Sequence, residues 1–321
     1  MASCRGASNL PASVKGIPHR AARLLSHLAK RGASVPTATA PWTRERKDAA
    51  VIRGPHKSSD GERAFVAREM LDFCRQGYWV VLPYEVVVDW PNLRISLLGF
   101  VPQRDRRPRL IVDYTFSGPN QDTLQSAPRE AMQFGRALQR VFTTPVHADA
   151  RYGPVHMAKI DVADGFYRIW VQLDDVPKLG VALPAPPGSA QLIAFPFALP
   201  MGWVEPPPYF SVVTETACEL ANDMLKSAPT APLNMAHRLE AVAATLPDDA
   251  DVDPIHRKRV AQKPSPLAGN GRLPVASVDV FVDDFSLLAQ TKRQRDKVMR
   301  ATLTAIDQVL RPLTDADPPH R

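Results

Sequence analysis

The sequence predicts an α+β domain built around an antiparallel sheet, on three observations. Short runs rich in β-branched and aromatic residues, such as WVVLP, LRISLLGFV and VASVDVFVDDFSLL, end at Pro, Gly or Asp, as strands do. Longer segments carry apolar residues at helical spacing, most clearly PPYFSVVTETACELANDML and TKRQRDKVMRATLTAIDQVLRP. Helices and hairpins are interspersed along the chain, the order expected of an α+β arrangement.

The composition supports a core and limits the function classes. The chain has 321 residues, 45% of them hydrophobic, enough for one large domain or two modest ones. Its 32 prolines, clustered, call for long irregular connections. A net charge of +7 suits a polyanionic partner without requiring one. The three cysteines, Cys4, Cys74 and Cys218, have no metal or disulfide spacing and read as unpaired thiols of a reducing compartment. No apolar run approaches the roughly 18 residues of a membrane helix, and no secretory leader follows the start, so no membrane is expected. The expected location is intracellular, cytoplasmic or nuclear.

Along the chain, the first acidic residue is Glu45. Residues 1–60 therefore read as a mostly disordered basic arm holding one short amphipathic helix, RAARLLSHLAKR. The same bias resembles a transit peptide, which leaves mitochondrial targeting as the lesser alternative. Residues 61–150 begin with a helix through Phe65, Met70, Leu71, Phe73 and Cys74 that Gly77 can stop. Two extended runs follow, then a basic loop with a short strand and a Gly-Pro turn (RDRRPRLIVDYTFSGPN), then a helix (APREAMQFGRALQRVF). Residues 151–311 open with KIDVADGFYRIWV, a strand and a turn, and continue through PKLGVALP and AQLIAFPFALP as short strands. A helix over PPYFSVVTETACELANDML precedes a polar, proline-rich insertion at about 226–274, read as part helix and part loose loop. VASVDVFVDDFSLLAQ reads as two strands joined at the aspartates, and an amphipathic helix with Val298, Leu303, Ile306 and Leu310 on its apolar side follows. Residues 312–321 are a polar tail.

The adjacent carboxylates Asp283 and Asp284 sit in a stretch that otherwise favours burial. Taken alone, the pair reads as a tight turn, since Asp tolerates and caps bends. Asp161, at the end of the strand in KIDVADGFY, changes that reading. Three carboxylates meeting in one sheet repel one another unless divalent cations neutralise them. Oxygen-only ligands suit Mg²⁺, with Mn²⁺ as the alternative. A second feature is FALPMGW, a turn whose glycine lets a flat ligand approach the backbone.

With these motifs in the order RPRLIVDY, DVADGFY, LPMGW and FVDD, residues 62–311 resemble the reverse transcriptases of retrotransposons. The resemblance implies a polymerase palm, an antiparallel sheet with helices on one face, together with a fingers subdomain over about 61–150. Asp161, Asp283 and Asp284 match the catalytic, metal-holding aspartates. Phe166 matches a steric gate that rejects a 2′-hydroxyl, unless the neighbouring Tyr167 holds that place or Phe166 is a core ring. Arg107 and Arg109 match the basic pair that grips the triphosphate, with Arg107 where Lys is usual. Asp113 closes that segment, holding the arginine or touching the nucleotide. Met201 and Gly202 match nucleotide and template contacts of the Leu-Pro-x-Gly turn, whereas Trp203 reads as packing. The implied partners are an RNA or DNA template with primer, and dNTPs. The family's lysine motif, primer grip, thumb and ribonuclease H domain find no counterpart in the sequence. The chain thus reads as the fingers and palm of a longer polyprotein. The competing reading is a catalytically inactive retroelement fragment that at most binds nucleic acid.

Overall fold

Apolar side chains at helical spacing anchor the N-terminal segment in the core. The computed structural model describes residues 10, 16–104, 106–127, 132, 134–186, 188–226 and 273–310. There, α1 (Ala22–Arg31) buries Leu25 and Leu28, three apart on one face, while Arg23, Lys30 and Arg31 face solvent. Val35 and Trp42 are also buried. Ala33 N donates to Trp170 O at 2.6 Å, and Gln172 N donates to Ala33 O at 2.8 Å. In α2 (Arg44–Arg53), Lys47 turns inward and donates to the carbonyls of Val88 (2.9 Å) and Trp90 (3.0 Å). Residues 16–60 are thus part of the folded body, which corrects the expectation of a mostly disordered arm for that stretch; residues 1–9 and 11–15 lie outside the described residues. Basic side chains keep a segment out of a core only when their charge must be buried without acceptors. Here they project to water or meet carbonyls, carboxylates or ring faces, and the few apolar residues do the packing.

The elements then run α3 (Arg63–Arg75), β1 (Trp79–Pro83), β2 (Ile95–Gln103), β3 (Arg106–Asp113), α4 (Phe134–Val146), β4 (His156–Asp161), β5 (Gly180–Ala182), β6 (Leu192–Pro196), α5 (Pro206–Lys226), β7 (Ala276–Phe281), β8 (Asp284–Ala289) and α6 (Lys292–Val309). They form two sheets, one of five strands in the order β1-β6-β5-β2-β3 and one of three in the order β4-β8-β7. The expectation of an antiparallel sheet holds for the second. In the first, β2 and β5 are parallel, with Ile95 opposite Gly180. The long passage through β3, α4 and β4 supplies the crossover that parallel pairing needs, and no local pattern announces it. The basic stretch expected as a loop lies in β3, because the β2–β3 hairpin pairs as far as Gln103 with Arg106. The first sheet takes strands from both sides of residue 150, and one hydrophobic cluster runs through both sheets, from Ile95 and Phe195 to Val280 and Phe285.

In the three-stranded sheet, residues alternate between faces. Asp161, Asp284 and Phe281 lie opposite one another across the strands, as do Lys159, Ser286 and Asp279. Directly opposed residues share a face. The other face presents Val278, Val280, Phe285 and Leu287, all buried, to the helical layer, where α6 buries Val298 and Leu303. Asn222 of α5 caps the outer edge of β7: its amide donates to Val278 O (2.8 Å) and its oxygen accepts from Val278 N (3.1 Å). That satisfies backbone groups an edge strand otherwise leaves unpaired. Among the described residues no helix is long and apolar enough to cross a membrane. The insertion expected at about 226–274 falls almost wholly on residues 227–272, outside the described residues, as does the tail at 312–321.

Candidate metal centre

Asp161 and Asp284 are paired across the β4–β8 ladder, and Asp283 occupies the turn of the β7–β8 hairpin. The loop is two residues long, Val282 and Asp283, and Val282 has φ 61°. A positive φ at the first loop residue is the pattern of a type II′ turn, which normally takes Gly there. A β-branched residue in that region is strained, by about 1–3 kcal/mol. Val162 N donates to Asp283 O at 3.2 Å, so the ladder continues past β4 and fixes the turn against it. As a result, carboxylate oxygens of Asp161, Asp283 and Asp284 lie within 4.8 Å of one another, with Asp161 exposed and the other two half-buried.

That proximity has an electrostatic cost. Two like charges about 4 Å apart repel by about 1 kcal/mol in bulk water and about 4 kcal/mol near a protein surface. Burial, with Asp284 and Asp161 adding to it, pushes the Asp283 carboxyl above the ordinary carboxylate range. Lys159 offsets part of this. Lys159 Nζ lies 2.7 Å from Asp284 Oδ1, but its side chain is 60% exposed, so the pair is screened and weak. Three oxygen donors converging with one screened ammonium fit a hard divalent cation such as Mg²⁺ or Mn²⁺.

The other residues singled out in the sequence gather in part. A pocket of about 400 Å³ is lined by Arg107, Arg109 and Met201, with Glu69, Asp164 and Tyr167 among its other walls. The carboxylate trio is not in its lining, although Asp164 comes three residues after Asp161. Arg107 is ion-paired with Glu69 of α3. Phe166 and Tyr167 separate cleanly. Tyr167 is buried and stacks on Tyr78 with ring centroids 4.9 Å apart, whereas Phe166 is half-buried and meets Phe210 edge-on at 5.6 Å. Asp113 builds the turn after β3: its Oδ1 accepts from Thr115 N (3.1 Å) and Phe116 N (2.7 Å), and its Oδ2 lies 3.1 Å from His56 Nε2. Gly202 has φ 98°, and a Cβ there would stand 2.1 Å from Val112 O, so only glycine lets this turn close onto β3. Trp203 is buried and donates to Thr123 Oγ1, as expected of a packing residue.

Two participants were not anticipated. Lys159 was detectable, since period-two alternation back from Asp161 puts it on the carboxylate face. Glu69 was not, because its pairing with Arg107 joins a helix and a strand distant in sequence. No protein-family model matches the chain, and no curated protein matches it.

Proposed function

We propose that this chain carries a template-directed nucleotidyl-transfer centre of the reverse-transcriptase kind, making DNA from dNTPs on an RNA or DNA template. The observation that supports it is the convergence of Asp161, Asp283 and Asp284 at one end of an antiparallel sheet. On this reading the three aspartates hold two Mg²⁺ ions, Asp161 and Asp283 as the more direct ligands. When bound, such ions activate an attacking 3′-hydroxyl and offset charge on the leaving pyrophosphate. The chain's own residues do the rest. Arg107 and Arg109 grip the triphosphate, with Glu69 setting the Arg107 guanidinium, and Met201, which lines the same pocket, touches the nucleotide. Phe166, the less buried of the two adjacent rings, excludes the 2′-hydroxyl. Asp113 and Gly202 serve this site by shaping the turn after β3 and the turn that closes onto it at Val112.

Primer extension with the full 321-residue chain, on RNA and DNA templates with Mg²⁺, tests the reading. Wild type should extend the primer, and Asp283→Asn should lose at least about a hundredfold in rate. Undiminished synthesis by Asp283→Asn overturns the assignment. The second reading is a catalytically inactive fragment that at most binds nucleic acid. It is favoured by Lys159, which already supplies Asp284 with a counter-charge. Wild type that binds primer-template but never extends it would select this second reading.

A further inference from the structure

Away from the acidic centre, the fold presents two arginines and an exposed ring on one surface. Arg46 and Arg53 are seven residues apart on α2, so they share a face about 10 Å apart along the axis. The Arg46 guanidinium lies 4.1 Å from the centroid of the Trp42 ring, and that of Arg53 lies 4.0 Å from the Phe116 ring. Neither guanidinium has a hydrogen-bond or ion-pair partner among the described residues. Stacking occupies the flat face of a guanidinium and leaves its in-plane N–H donors for phosphate oxygens. By helical spacing, Ala49 and Ala50 complete that face, so no carboxylate on it competes for the arginines.

The ring is held in place yet open to solvent. Phe116 is 54% exposed. Its backbone is fixed by Asp113 Oδ1, and His56, which also meets Asp113, packs on its ring with centroids 6.2 Å apart at 74°. Arg46 lies against the same turn, with Nη2 3.7 Å from where a Cβ on Gly118 would stand. Burial does not explain an aromatic so exposed and so constrained. A held ring with Arg53 over one face and still 54% exposed, next to the unpaired N–H donors of two guanidiniums, matches what a single polynucleotide strand needs, a base platform and phosphate donors.

We propose that α2 and the Thr115–Gly118 turn form a subsite for single-stranded nucleic acid, with a base against the side of Phe116 that Arg53 leaves open and backbone phosphates on Arg46 and Arg53. Taking the bound strand to be the template rests on the polymerase reading above, but the binding itself requires no metal. The test uses the full chain in EDTA with a fluorescein-labelled 20-mer of uridines, read by anisotropy across a salt series. Phe116→Ala should weaken binding about tenfold, and Phe116→Trp should restore it. The double variant Arg46→Gln/Arg53→Gln should flatten the plot of log K against log salt by about 0.7 for each arginine. Circular dichroism confirms that each variant is folded. Wild-type affinity in folded Phe116→Ala, an unchanged salt slope in the double variant, or no binding by wild type overturns the subsite. Phe116-dependent binding in a chain that never extends a primer supports the subsite and removes the polymerase reading.

Discussion

Val282 holds an uncomfortable backbone angle so that two neighbouring aspartates can face a third across a strand. Side-chain chemistry made these three residues legible in the sequence, because carboxylates inside β-branched runs need a reason to be there. The partners of Arg107 and Asp113 were not legible. Glu69 and His56 reach them only once a helix and a loop have folded back onto β3. Another carboxylate escaped notice because it sits on a helix that reads simply as apolar. Glu215 of α5 is pushed up to about 7 by burial, with Arg140 opposing the shift and Asp279 and Glu219 adding to it. Its ordinary value is 4.5. Between these two values the folded carboxyl keeps a proton that the unfolded one releases, so stability is lost as pH rises through the window. Thermal unfolding followed at pH 5 and pH 7.5 should show a lower midpoint at the higher pH. Glu215→Gln, which stays neutral, should reduce that difference, and an identical difference in the variant would show that Glu215 is not its source.

At the scale of elements, strands and helices with strong local patterns were readable, among them β7, β8, α5 and α6. Pairings set by distant chain were not. The parallel β2–β5 contact depends on a crossover, and the N-terminal segment depends on backbone hydrogen bonds to Trp170 and Gln172, far along the chain. The amphipathic spacing of α1 was visible, but a face of two leucines in a basic, acid-poor stretch does not reveal what covers it. Leu25 is fully buried, so Leu25→Ala should cost about 2–5 kcal/mol through lost burial and the cavity left behind. Urea denaturation of the full chain checks this. A change within about 0.5 kcal/mol, the size expected at an exposed site, would mean that α1 does not belong to the cooperative core.

Across the whole molecule, a five-stranded mixed sheet and a three-stranded antiparallel sheet share one hydrophobic cluster, and the N-terminal segment ties into it. This framework brings Asp161 and the Asp283–Asp284 turn together although more than a hundred residues separate them in sequence. If the three carboxylates form a cation site, the protein should take up divalent metal there in solution without any nucleic acid present. Titration with Mn²⁺, read from the electron paramagnetic resonance signal of the free ion, measures this on wild type and on Asp161→Asn/Asp283→Asn. The expected result is saturable uptake by wild type that weakens at least about tenfold in the folded double variant. Equal Mn²⁺ affinity in the two proteins would contradict a metal centre at these aspartates.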